Sequence, residues 1–254
     1  MALAFLVNLL TARYLGPSNY GLVNYAALYT AFFTSFATLG LSSLLLKDFM
    51  DDPEGAGTTV GTAIAMRLLS STLSAVSILA IVAAVDRGER LTMTVVALYS
   101  MSLIFQAFDT IQYWFQSRLE SKYATIATSV GYIIVSFYKV LLLVLGKDVR
   151  WFAISNTIDY AVAAIVFLGL YKWRGGPRLH ISPAKGRALL RQSGSFILCG
   201  LMVSVYNCTD RFMLKHLLDE ASVGYYATAT SLATVWTFVL SAIIDSITPG
   251  IMQA

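Results

Sequence analysis

The sequence predicts an all-α fold: a polytopic membrane helix bundle with about eight transmembrane helices. Three observations predict it. Hydrophobic residues make up 57% of the 254 positions and charged residues 13%, against about a quarter charged in ordinary soluble domains. Several runs of roughly 18 residues or more carry one charge or none, enough to cross a hydrocarbon layer about 30 Å thick as a helix. These runs are also continuously apolar, whereas membrane-barrel strands alternate polar and apolar side chains over about ten residues.

Taken in order, the spans fall near 1–15, 22–46, 60–84, 91–112, 124–145, 152–172, 190–209 and 225–247. The first is short, since only Met1 to Ala12 precede Arg13. A truncated start is the expectation, because a secretory signal would need a basic region before the apolar run and a small-residue cleavage pattern after it. The polar turn "ARYLGPSNYG" (12–21) joins the first two spans. Before the third, "DDPE" (51–54) reads as helix-end punctuation. "GAGTTVG" (55–61) lacks the Gly-Lys-Ser/Thr ending of a phosphate-binding loop. Cys199 and Cys208 share the seventh span about 13 Å apart along the axis, too far to pair. His180 and His216 stand singly in loops, so no metal site is expected.

Lysine and arginine in short loops set the orientation. The loop between spans six and seven carries Lys172, Arg174, Arg178, Lys185, Arg187 and Arg191. With that loop on the cytoplasmic side, Lys47, Arg118 and Lys122 join it. Arg13, Arg87, Arg90, Lys147, Arg150, Arg211 and Lys215 then lie outside. Ser182-Pro183 reads as an N-cap and first-turn proline that starts a short basic helix at the membrane surface. This basic stretch suits topology and lipid headgroups, and nucleic acid is not an expected partner despite a pI near 9.0.

A loose echo of the first turn, "LLDEASVGYY" (217–226), appears six spans later. Aligning Gly21 with Gly224 sets Leu15 against Leu218 and Ala26 against Ala229. Two six-helix lobes related by an axis along the membrane normal form a transporter architecture with the substrate path at their interface. The expected organisation is a six-helix lobe over 1–173, a basic cytoplasmic connector over 174–189, and the first two helices of an incomplete second lobe over 190–254.

Three stretches carry a family resemblance. "ARYLGPSNYGLVNYAALYTAFFTSFATLGLSSLLLKDF" (12–49) resembles the first helix pair of the polysaccharide and O-antigen flippases, a branch of the multidrug/oligosaccharidyl-lipid/polysaccharide exporter superfamily. "DTIQYWFQSRLESKYATIATSVGYII" (109–134) resembles the fourth and fifth helices of that family, where a Trp-Phe-Gln turn precedes a basic-aromatic pair, here Lys122-Tyr123. "DRFMLKHLLDEASVGYYATATSLA" (210–233) is similar to its seventh-to-eighth segment. Members of that family usually carry about twelve to fourteen helices, which makes this chain look like a first lobe plus the start of a second. The resemblance implies translocation of an undecaprenyl-pyrophosphate-linked oligosaccharide between the leaflets of the inner membrane, beside polysaccharide polymerases and glycosyltransferases as partners.

A sugar-pyrophosphate headgroup is bulky, hydroxyl-rich and anionic, so carrying it through oil requires a wet cavity with cationic and hydrogen-bonding walls. Arginine binds two phosphate oxygens at once. An ionisable residue left at the bilayer centre costs about 2.5–3.5 kcal/mol, so such residues tend to face the bundle interior. Arg67, about seven residues into the third span, ranks first as a headgroup contact. Lys139 suits either the cavity or an interfacial anchor. Arg13 is favoured by the resemblance, with helix-end anchoring as the alternative. Arg211 has a simpler reading, a local ion pair with Asp210.

Gln106, Asp109, Tyr113 and Gln116 recur on one helix face, and Ser155, Asn156, Asp159 and Tyr160 fall on adjoining ridges. These are either interhelical hydrogen-bond glue, or Asp159 or Asp109 exchanges a proton or sodium ion or pairs with Arg67, with Gln106 and Asn156 as polar cavity wall. Most aromatic residues suit the interface belt. Tyr25 and Tyr29, one turn apart beside Asn24, are the best candidates for stacking on sugars. No cofactor is expected and no enzymatic role. Two alternatives stand: an ion-coupled exporter of cationic drugs from the same superfamily, and a membrane-embedded polymerase or acyltransferase. The outer loops are too short for the latter.

Overall fold

Gly16 and Pro17 turn the first predicted span into the second. In the computed structural model, which describes residues 2–233, α1 (Ala2–Ala37) is helical on both sides of Gly16, whose φ of 71° and ψ of 170° are non-helical. Glycine takes a positive φ without strain, and a proline in a first helical turn forfeits only an N–H that has no partner there. Val7 and Thr11 line the same hollow as Asn24 and Ala27. A straight helix would hold Val7 and Ala27 about 30 Å apart, so the chain folds back at Gly16 as a helical hairpin. The ten-residue turn expected over 12–21 is corrected to this single break, because the polar side chains around it lie on helical turns.

The continuous span expected over 22–46 is interrupted. Its helix stops at Ala37, and Leu39 and Gly40 adopt φ of 54° and 57° before α2 (Ser42–Asp51) begins. Thr30, Thr34 and Thr38 each donate a hydroxyl to the carbonyl four residues earlier, a bond that bends helices. Gly40 also lies where α9 (Pro183–Leu217) crosses: a Cβ there would come within 2.9 Å of the Ile197 amide nitrogen.

The third, fifth and sixth spans form α3 (Ala56–Val85), α7 (Ser121–Val144) and α8 (Val149–Trp173), each starting three or four residues before its expected boundary. The fourth is irregular. It passes through α4 (Arg90–Ser100), α5 (Ser102–Gln106), a 3-10 turn over Ala107–Asp109 and α6 (Thr110–Ser117). The seventh is longer than expected. The surface helix foreseen near Ser182 is the first part of α9, one rod of 35 residues whose first-turn Lys185 amide is capped by the Ser182 hydroxyl. At about 50 Å it exceeds the hydrocarbon thickness. A further helix, α10, begins at 220, while the rest of the eighth span expected over 225–247, with Asp245, lies outside the described residues. Five described runs are long and apolar enough to cross a bilayer: α3, the path from Arg90 to Ser117, α7, α8 and α9.

Hydrogen bonds show which helix ends share a side. On the connector side, Asp48 accepts from Thr59 and pairs with Lys185 at 2.7 Å, and Arg174 pairs with Glu120. There "GAGTTVG" finds its purpose: a side chain at Gly57 or Gly61 would collide with the backbone of Arg178 or His180. The connector lies directly on the first turns of α3, with the His180 amide donating to the Gly57 carbonyl at 3.3 Å. On the opposite side, the Tyr14 hydroxyl donates to the Lys147 carbonyl, and Lys215 pairs with Glu89 and Glu220.

Two apolar clusters follow the same division. One gathers Leu45, Val60, Ile64, Ile111, Phe115, Ala127 and Phe167 near the connector, and the other Leu22, Ile78, Val95, Leu103, Leu142 and Phe152 toward the opposite side. Along α3, the path from Arg90 to Ser117, α7 and α8, the ionisable or amide residue falls between them: Arg67 between Ile64 and Ile78, Gln106 and Asp109 between Leu103 and Ile111, Lys139 between Ala127 and Leu142, Asp159 between Phe152 and Phe167. The bundle thus carries a polar layer at mid-depth, while Leu69, Leu73, Phe137 and Ile165 cover its outside with exposed apolar surface.

Candidate functional site

The polar layer encloses a hollow of about 300 Å³. Thr11 and Asn8 come from the first half of α1, Asn24 from its second, Tyr99 from α4, Lys139 from α7, and Asn156 and Asp159 from α8. The Lys139 ammonium donates to Asn8 Oδ1 at 3.4 Å and lies close enough to Asp159 for mutual attraction. Gly131 makes room for that carboxylate, since a Cβ there would sit 2.8 Å from Asp159 Oδ1. The α7 and α8 helices, which pack extensively on each other, therefore meet where the acid is. A second hollow of about 430 Å³ adjoins the first through Ala27, Tyr99 and Asn156 and is lined in addition by Thr30, Thr34, Gln106, Tyr160 and Arg211. Gln106 donates to the Tyr160 hydroxyl at 3.4 Å, and its buried Oε1 has no partner among the described residues.

The structure thus brings Asn24, Lys139, Asn156, Asp159 and Gln106 to two adjoining hollows. Arg67, Arg13, Tyr25, Tyr29 and Asp109 line neither hollow. Arg67 is 2% exposed, and its guanidinium donates to Thr110 Oγ1 at 3.1 Å, near Asp109. It is wedged between the 3-10 turn and the helices around it, so no headgroup reaches it in this conformation. The face expected to align Gln106, Asp109 and Tyr113 is split by that turn: Gln106 faces the hollow, Asp109 faces Arg67, and the Tyr113 hydroxyl donates to Ser42 at 2.8 Å. Arg13 is exposed at the end of the first half of α1.

Tyr25 and Tyr29 share a different helix face from Asn24. The Tyr25 hydroxyl is bonded to Tyr29 at 2.8 Å, Asp86 at 3.0 Å and His216 at 3.3 Å, with no exposed surface for a sugar. Tyr29 instead borders an apolar groove with Phe33, Cys208 and Phe212. Outside the spanning segments, burial pushes the Asp86 carboxyl up from its ordinary range. His216, expected to stand alone, is thus tied to the bundle. The ion pair expected between Arg211 and Asp210 is also absent: Asp210 accepts from the Tyr226 hydroxyl and from the Arg211 backbone amide. Sequence reasoning missed Asn8, Tyr99 and Gly131, whose roles depend on which helices adjoin.

A polar space inside an apolar bundle suits a transporter, and the chain as a whole decides the family. The model of the family described as "Polysaccharide biosynthesis protein" matches residues 1–254. The chain belongs to that family. It is a multi-pass membrane protein of polysaccharide biosynthesis. No curated protein and no solved structure matches it. The stretches that carried the resemblance have structural tasks here: Trp114 packs edge-on against Tyr171 with ring centres 4.8 Å apart, and Arg118 and Lys122 lie over Trp114 and Tyr123.

Proposed function

We propose that the protein flips an undecaprenyl-pyrophosphate-linked oligosaccharide across the cytoplasmic membrane by alternating access, as part of surface polysaccharide assembly and beside the polymerase and glycosyltransferases of that process. The observation that carries this reading is the pair of adjoining polar hollows at mid-depth. They offer amides and hydroxyls for sugars, and two cations, Lys139 and Arg211, for phosphate oxygens. Flipping needs no bond to be made or broken, only a wet path for the headgroup while the prenyl chain stays in lipid. Asp159, beside Lys139, is the residue through which a proton or sodium ion couples to the cycle. A cationic drug is the poorer fit, because among the described residues the lining cations outnumber the one lining carboxylate and would repel it.

The test is translocation of lipid-linked oligosaccharide in proteoliposomes containing the intact protein. Lys139→Met is expected to slow it at least tenfold, and Asp159→Asn to remove its dependence on an imposed proton or sodium gradient. Native rates and native gradient dependence in both variants, or extrusion of a cationic dye with no oligosaccharide movement, would overturn the reading.

A further inference from the structure

Arg211 lines the second hollow with no hydrogen bond from its guanidinium among the described residues. Lys139 has Asn8 and Asp159, and Arg67, whose Nε is likewise unpartnered there, donates to Thr110 near Asp109 and lines neither hollow. The Arg211 guanidinium makes no hydrogen bond among the described residues, its Nε is shielded from solvent without a partner, and no carboxylate lies within 4.0 Å of it there. Its sequence neighbour Asp210 is engaged by Tyr226 on α10. Arg211 is partly buried, and a guanidinium nitrogen shielded from water without a partner is costly; a ligand anion would relieve that cost by bidentate bonding. The same hollow holds a second buried polar atom without a partner among the described residues, Gln106 Oε1, an acceptor suited to a hydroxyl donor. One side of the hollow thus presents a cation and its wall a hydrogen-bond acceptor.

We infer that the hollow between α1, α5, α8 and α9 is a phosphate-and-sugar subsite, in which Arg211 holds a phosphate of a diphosphate-linked glycan while Gln106 accepts from a hydroxyl of the adjoining sugar, beside the Tyr160 phenol. This deepens the reading above and rests on it. It adds a consequence. Arg211 arrives on α9, beyond the basic connector, whereas Thr30, Thr34, Gln106, Asn156 and Tyr160 belong to helices before it. A ligand bound there ties α9 to the preceding helices, so occupancy of the subsite biases how the two parts of the bundle sit.

Binding to the intact protein in lipid nanodiscs tests it with two probes: farnesyl pyrophosphate, which carries the anion and a short prenyl chain but no sugar, and the lipid-linked oligosaccharide. Arg211→Gln, which fills similar space without charge, is expected to weaken farnesyl pyrophosphate at least tenfold, with Arg211→Lys between it and the native protein. Gln106→Leu is expected to leave farnesyl pyrophosphate unchanged and weaken the oligosaccharide several-fold. Thermal unfolding of each variant confirms that it is folded, and the Lys variant carries the comparison if the Gln variant is not. Unaltered farnesyl pyrophosphate affinity in folded Arg211→Gln and Arg211→Lys overturns the subsite alone, leaving Lys139 as the headgroup cation. A native protein that binds neither probe overturns the subsite and the flippase reading together.

Discussion

Gly21→Ala, a change of one methyl group, is expected to part the helices that cross opposite the connector and to reduce translocation at least tenfold. A Cβ at Gly21 would collide with the Glu220 carbonyl oxygen, and one at Gly224 with the Pro17 carbonyl oxygen. Each glycine also lies against the other's backbone nitrogen, at 3.0 and 3.2 Å from the added Cβ. The contact is reciprocal: Pro17 stands four residues before Gly21 as Glu220 stands four before Gly224. This is the self-complementary pattern of a two-fold interface, here between the two copies of the echo inside one chain. Carbonyl groups cannot yield as a flexible side chain would, so the methyl must separate α1 from α10. Around this crossing Ser18 donates to Glu220 at 3.3 Å, and Lys215 bridges Glu220 and Glu89. The Thr92 hydroxyl, with Lys215 beside it, holds Glu89 below the usual carboxylate range, so it stays charged as the pH falls until that lowered value is passed. A short thiol cross-linker between Ser18→Cys and Glu220→Cys reads the crossing directly. Its yield is expected to fall in Gly21→Ala; undiminished yield with native transport would show that the crossing tolerates the methyl.

Arg67→Met is expected to destabilise the protein by about 3 kcal/mol, because it takes the neighbouring positive charge from Asp109, which lies close enough to attract the buried guanidinium without pairing with it directly. Thr110 Oγ1 also loses a donor. Adding Asp109→Leu is expected to recover most of the loss, since an apolar replacement of both charges is often neutral or better. Thermal unfolding of the single and double variants measures this. A single variant as stable as the native protein but unable to bind farnesyl pyrophosphate would instead make Arg67 a headgroup contact in another conformation.

The membrane bundle and its helix order were legible because apolar run length answers directly to bilayer thickness, and α3, α7 and α8 follow their expected boundaries closely. The breaks at Leu39-Gly40 and at Ala107–Asp109 were not, because hydropathy is blind to a helix that stays apolar while its backbone path changes. Gly40 answers to a crossing with α9 some 150 residues later, which no local pattern reveals. The same blindness separated the candidates. Periodicity correctly marked Asn156 and Asp159 as neighbours, yet assigned Asp109 to the face of Gln106, since a 3-10 turn advances the chain by a different angle than an α-helix does. Tyr25 looked available because Asn24 is adjacent in sequence, and adjacent helical residues point about 100° apart. Arg211 was read through Asp210 for the same reason, whereas Tyr226, on the next helix, takes the acid.

The central claim is that the space beside Asn156 is wet and lies on the substrate path. With Cys199 and Cys208 replaced by serine and alanine, Asn156→Cys is expected to react with a water-soluble thiol reagent in proteoliposomes and to be protected by lipid-linked oligosaccharide, while Phe137→Cys, on the 73% exposed lipid-facing surface of α7, stays unlabelled. An unreactive Asn156→Cys, or labelling that substrate does not slow, would contradict it.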